Sequence, residues 1–168
     1  GEASVDAVGF RISDSYPLSN SKSFIDYTLD SQSTATISSQ AASKTDESAY
    51  VTVPGSTTER GSARFNHSNN SAEYIGKRDR IGQLNATLSL GTGTNDTVAV
   101  AWFVNGSLVS GTETRVQMNQ QGGGIAKTIS TVGIDGEMNT NDTFDVRVAN
   151  LGSTTDITVG ELSAKIST

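Results

Sequence analysis

The stretch "VAVAWFVNGSLVSGT", Val98 to Thr112, decides how the chain is read. Side chains alternate along an extended strand, so Val98, Val100, Trp102 and Val104 share one face while Ala99, Ala101 and Phe103 share the other. Neither face suits water. Asn105-Gly106 then ends the run, and this pair is a strong hairpin signal because both residues tolerate positive φ. The run predicts a strand buried on two sides that turns back through "SLVSGTETRVQM". One face fits the core of a sandwich. The other needs a second cover, either an oligomer axis or an overlying piece of chain.

Similar strands flank this one. "GQLNATLSLG" places Leu84, Ala86, Leu88 and Leu90 on one side and Asn85, Thr87 and Ser89 on the other, the pattern of a strand with one wet face. In "TFDVRVAN" Phe144, Val146 and Val148 alternate with Asp145 and Arg147, so Asp145 is expected on the solvent side. "SAYVTVPG", "SARFNHSNNSAEYIG", "IAKTISTVGI" and "TDITVGELSAKI" complete a series of short strands at the spacing of a sandwich or barrel. No window carries a sustained helical stripe, so the predicted class is all-β.

The 168 residues fit one domain of ordinary size, here residues 45–168, preceded by a segment of different character. Residues 1–44 are Ser-rich, with isolated extended snatches such as Ile25, Tyr27 and Leu29 in alternation. They hold too little apolar matter for a core of their own. An extended N-terminal arm is expected, borrowing a surface from its own domain, a sister chain or another protein. Phe10, Ile12, Tyr16, Phe24 and Tyr27 are its candidate contact residues.

Several chemistries lack their residues. With no cysteine, thiolate metal sites, disulfides and a Cys nucleophile are excluded. A net charge of −6 argues against a general nucleic-acid binder, which needs a basic stripe. No run approaches the ~20 apolar residues of a membrane span, and "GEASVDAVGF" lacks the basic start and apolar core of a signal peptide. "GGGIAKT" resembles a phosphate loop only superficially, since Ala126 stands where the backbone needs glycine before the lysine.

"DGEMNTND" spaces Asp135, Glu137, Asn139 and Asn141 like the start of a calcium loop, but Thr140 replaces the turn glycine and Val146 the closing glutamate. A polar turn is the competing reading. His67, the single histidine, lies in "NHSNNS" with no nucleophile turn nearby, so Ser-His-Asp chemistry is not expected. The basic cluster "KRDR" at Lys77–Arg80 fits a solvated strand end or an acidic partner. Six Asn-x-Ser/Thr sequons, at Asn66, Asn69, Asn85, Asn95, Asn105 and Asn141, matter only in a eukaryotic secretory pathway. No enzyme, cofactor or metal is expected.

"ARFNHSNNSAEYIGKRDRIGQLNATLSL", "AWFVNGSLVSG" and "NTNDTFDVRVANLGSTTDITVGELSAKI", taken in order over residues 47–168, resemble the C1q/TNF-like jelly roll, particularly its versions in bacteriophage and other virus structural proteins. Phe65 precedes an aromatic-Gly step at Tyr74 and Gly76, a strand ends in Asn-Gly, and a polar turn leads into an alternating apolar strand. Asn141-Asp142 stands where many relatives have Gly-Asp, and Asn tolerates similar turns.

The resemblance implies a jelly-roll β-sandwich that assembles as a threefold trimer with one sheet around the axis. It also implies a non-enzymatic role in a virion, as a capsid decoration or cement module or a head fibre that contacts the major capsid protein at the capsid surface. The alternative is a carbohydrate- or receptor-binding module, such as a tail-fibre tip or a secreted C1q-like lectin. It would use Asn and Gln in the loops "NHSNN", "GTGTND" and "NQQGGG". In either case Val98, Val100, Trp102, Phe103 and Val104 are divided between core and trimer interface.

Overall fold

A computed structural model of the chain describes residues 22–118, 127–131 and 134–168. Phe10, Ile12 and Tyr16 lie outside the described residues, as does all of "NQQGGG". In chain order the strands are β1 (Phe24–Leu29), β2 (Ser33–Ala35), β3 (Val51–Thr52), β4 (Thr57–Ala63), β5 (Phe65–Ser68), β6 (Ser71–Tyr74) and β7 (Arg80–Gly91). Then come β8 (Thr97–Val104), β9 (Ser107–Leu108), β10 (Thr114–Gln117), β11 (Lys127–Ser130), β12 (Ile134–Met138), β13 (Thr143–Asn150) and β14 (Ile157–Ser167). Among the described residues the one helical element is a single 3-10 turn, Glu47–Ala49.

Two antiparallel sheets face each other. The first runs β9–β8–β13–β6–β5, with β10 also on β8 and β3 on β13. The second runs β11–β7–β14–β1–β4, with β12 also on β7 and β2 on β14. Lys127 opens a strand, so the helix that a phosphate loop requires is not there.

The core follows from the alternation. Ile25 and Tyr27 of β1, Leu84, Ala86, Leu88 and Leu90 of β7, and Leu162, Ala164 and Ile166 of β14 point inward from the second sheet. They meet Val98, Val100 and Trp102 of β8 and Phe144, Val146 and Val148 of β13. All are buried. Removing this apolar surface from water, at about 25 cal/mol per Å², is what holds the sheets together.

Turn chemistry sets the connections. Asn105 at φ 50 and Gly106 at φ 82 make the two-residue hairpin expected from the sequence, pairing Ser107 with Val104. Asn141 at φ 76 opens the way into β13. Between β4 and β5 the chain leaves the second sheet for the first, and Arg64 makes that corner at φ 63. Its carbonyl accepts a hydrogen bond from the Ile75 amide at 2.9 Å. β11 and β12 share the edge beside β7, and Thr131 bridges their gap, its amide donating to the Ala86 carbonyl and its hydroxyl accepting from the Ala86 amide.

The segment expected as an arm is divided. From Phe24 onward it is part of the sandwich: β1 lies between β14 and β4, β2 pairs with β14, and Ile37 and Ala41 are buried. Of the three surfaces such a segment had to choose from, residues 24–41 use their own domain.

Candidate interaction surfaces

The outer face of the first sheet is closed by the chain itself. Ala99, Ala101 and Phe103 of β8 and Ala149 of β13 form a second apolar cluster with Ala41, Ala49 and Tyr50, rimmed by Leu108 and Leu151. Three alanines on the sheet leave room for the backbone of residues 41–50 to lie close. The Tyr50 ring sits 5.3 Å from the Phe103 ring, and the Arg147 guanidinium lies 4.4 Å from the centre of Phe103.

Polar groups pin this roof. The Ala41 amide donates to the Asn150 carbonyl at 2.8 Å, Gln40 Nε2 to the Leu151 carbonyl at 2.7 Å, and the Ile37 amide to Asp156 Oδ1 at 2.9 Å. The Leu108 amide donates to Glu47 Oε2, and the Tyr50 hydroxyl to the Lys44 carbonyl at 2.7 Å. Burial pushes the Tyr50 hydroxyl pKa up, and the nearby Glu113 and Asp46 add to the shift.

Two open alternatives resolve here and one expectation changes. Phe103 is a buried residue of the single chain, and its cover is a segment of the same chain. Val98, Val100 and Trp102 belong to the main core, with Val104 packed at its margin. Asp145 does point to the outer face, but it is buried there. Its Oδ2 accepts from Thr52 Oγ1 at 2.8 Å and from Arg147 Nε at 2.7 Å.

Tyr27 is also corrected. Expected to contact a partner, it is fully buried between the sheets, 5.1 Å from the His67 ring, with its hydroxyl donating to the Asn70 carbonyl at 3.4 Å. Burial raises its pKa, with a further contribution from the Asp145 charge. Phe24 occupies the opposite phase of the same strand. It is half-buried on the outer face of the second sheet, against Gly61.

Two of the three loops proposed for sugar binding are described, and they are held by different partners. "NHSNN" turns beside β4, where His67 Nε2 lies 2.7 Å from Thr57 Oγ1 and Asn70 Nδ2 donates to the Gly55 carbonyl at 2.9 Å. "GTGTND" sits instead with the β13–β14 loop, pinned through Asp96. Asp96 Oδ2 accepts from Thr94 Oγ1, Asn150 Nδ2 and Ser153 Oγ at 2.6, 3.0 and 2.7 Å. Burial raises the Asp96 pKa, but these three bonds together outweigh it and hold the carboxyl below its ordinary range.

In the turn at residues 135–142 the carboxylate of Asp142 is taken up by protein donors. Asp142 Oδ1 accepts from Asn105 Nδ2 and Oδ2 from the Asn139 amide, each at 2.8 Å, so its lone pairs face protein donors. Asp135 and Glu137 are exposed on β12. Among the described residues no group of three or more His, Asp or Glu side chains is placed to hold a metal ion. Lys77, Arg78 and Asp79 are exposed ahead of β7, as a solvated strand end would be.

Among the described residues, no segment lies over the outer face of the second sheet as residues 41–50 lie over the first. The outer rows of the second sheet carry Gln83, Asn85 and Thr87 from β7, Ser163 and Lys165 from β14, and Phe24 and Asp26 from β1. Lys165 Nζ lies 3.8 Å from Asp26 Oδ1, and a shallow cleft runs between Lys22, Phe24, Asp26, Lys165 and Ser167. Ile81 at the start of β7 is 61% exposed, a large aliphatic side chain given to water.

No protein-family model matches the chain, and no curated protein matches it significantly. Among solved structures, the crystal structure of murine APRIL at pH 5.0 aligns with a TM-score of 0.53 at 8% identity, over 88% of this chain and 99% of that one. The fold is a TNF-like jelly roll. PRD1 vertex protein P5 aligns more loosely, with a TM-score of 0.46 at 10% identity over 86% of this chain and 95% of that one. At these identities the likeness is one of architecture. In this jelly roll one sheet face is roofed by its own chain, and the other has no such roof among the described residues.

Proposed function

We propose that this jelly roll is a non-enzymatic structural module of a virion. It assembles as a trimer and decorates or cements the capsid, or forms a head fibre, by contact with the major capsid protein at the capsid surface. The observation that carries the reading is the asymmetry of the two sheets. The outer face of β8 is satisfied within one chain, so the open face of the second sheet, with Ile81 and Phe24 among hydroxyl and amide side chains, is the one that packs around the threefold axis. The resemblance to virus jelly rolls, and a histidine paired with a threonine hydroxyl in place of a catalytic partner, support a role in assembly.

The carbohydrate-binding alternative draws no support from the loops named for it, because "NHSNN" and "GTGTND" are pinned in different parts of the fold. Among the described residues no helix is long and apolar enough to cross a membrane. The test is co-sedimentation of the purified chain with capsid shells that lack it. Saturable binding at symmetry-defined sites is the expected result, and failure to bind intact shells overturns the reading.

A further inference from the structure

The hairpin tip after β8 carries the chain's single Asn-Gly step. Asn105 and Gly106 are both exposed and left-handed, and a Cβ at Gly106 would meet nothing within 4 Å. Such a step is reactive because no side chain shields the glycine nitrogen from the asparagine carboxamide. The Gly106 nitrogen bonds to Asn105 Cγ, the Cγ–Nδ2 bond breaks, and Nδ2 departs as ammonia. Water then opens the five-membered imide at either carbonyl, leaving aspartate or isoaspartate. Water is the sole co-reactant.

The structure engages this carboxamide at both ends. Nδ2 donates to Asp142 Oδ1 at 2.8 Å, and Oδ1 accepts from the Thr143 amide at 2.9 Å. The Asn105 amide donates to the Thr143 carbonyl at 2.8 Å. Asp142 is itself fixed, since Oδ2 accepts from the Asn139 amide at 2.8 Å and its carbonyl accepts from the Tyr74 amide at 2.9 Å. A carboxamide held at both ends cannot rotate onto the Gly106 nitrogen without first releasing Asp142 and Thr143.

We propose that Asn105 is a latent deamidation site guarded by Asp142, and that its conversion unlatches this end of the sandwich. The aspartate product puts a carboxylate where the Nδ2 donor stood, facing Asp142 Oδ1, where two carboxylates at hydrogen-bond separation repel, and the isoaspartate product reroutes the backbone through Cγ and removes the same donor. The link between the β8–β9 hairpin and the turn at residues 139–142 then becomes a repulsion. One exposed tip, slow to react while folded, acts as a one-way change in how the two turns are joined.

The test incubates the full chain, folded and urea-unfolded, at mildly alkaline pH, and follows residue 105 by peptide mass mapping. Conversion at Asn105 is slower in the folded chain. Asp142→Ala, still folded, converts about tenfold faster, the ratio that one charge-assisted hydrogen bond is worth. Equal rates in folded and unfolded chains, or no acceleration in Asp142→Ala, overturn the guard. A second pair of variants keeps the proposal testable if Asp142→Ala does not fold. Asn105→Asp melts below Asn105→Ala, with the gap shrinking as salt is added, and equal melting of the two at low salt overturns the unlatching.

Discussion

Tyr50 stacks on Phe103 across a gap of 53 residues of sequence, ring centres 5.3 Å apart and planes tilted by 54°. The contact closes the face of β8 that points away from the main core. Arg147 also places its guanidinium over the phenyl ring and is held there by Asp145. A strand apolar on both faces is thus buried twice within one chain, once against the opposite sheet and once under residues 41–50.

Removing either ring therefore acts on the stability of the isolated chain. Phe103→Ala is expected to cost about 3–5 kcal/mol, the range for deleting a buried aromatic ring. Urea unfolding of a dilute sample measures it. A loss that disappears on dilution to monomers would instead tie Phe103 to a subunit interface.

Tyrosine ionisation sets an alkaline limit. The Tyr27 and Tyr50 hydroxyls are raised from the ordinary value of about 10, so the folded state holds the proton more tightly than the unfolded chain. Their contribution is fully present below about pH 10 and is lost progressively as the pH climbs above it. Thermal midpoints are expected to stay level from neutral pH to about pH 9 and then fall, and Tyr50→Phe makes the fall shallower. In Tyr50→Phe the hydroxyl bond to Lys44 is gone, at a cost of about 1 kcal/mol near neutrality. An identical alkaline profile in the variant contradicts the assignment.

The loop pin at Asp96 predicts the opposite pH response and a steric limit. Its depressed pKa means that its contribution is present above the ordinary carboxylate range and is lost as acid protonates it. A Cβ at Gly152 would lie 2.5 Å from Asp96 Oδ1 and 3.0 Å from its Cα, so the loop has no room for alanine. Gly152→Ala is expected to destabilise by about 1–3 kcal/mol through overpacking, read by chemical denaturation.

Much of the fold was legible because it rests on local alternation. β7, β8 and β13 show their inward residues at every second position, and Asn105-Gly106 marks its hairpin. The roof was not legible. Ala41, Ala49 and Tyr50 lie in "AASKTDESAY", a hydroxyl-rich stretch with no periodicity, and their packing depends on alanines fifty or more residues away. Asp145 is buried as well, and although its phase along β13 was read correctly, its bond to Thr52 of the distant β3 could not be. The limit of the arm misled for a related reason. The alternation of Ile25 and Tyr27 was visible, but the Ser-rich composition around it gave no sign that this strand lies within the second sheet of the domain. Trp102 is buried as its face requires, yet its indole N–H meets no acceptor among the described residues, which alternation alone does not foretell.

In the proposed trimer the outer face of the second sheet, and not the face of β8, joins the subunits. Light-scattering mass of the wild-type chain beside Ile81→Asp tests it most directly, since Ile81 is exposed and its replacement leaves the core intact. The account predicts a trimer for the wild type and a folded monomer for Ile81→Asp. A wild-type monomer, or a trimer that survives Ile81→Asp together with Phe24→Asp, contradicts it.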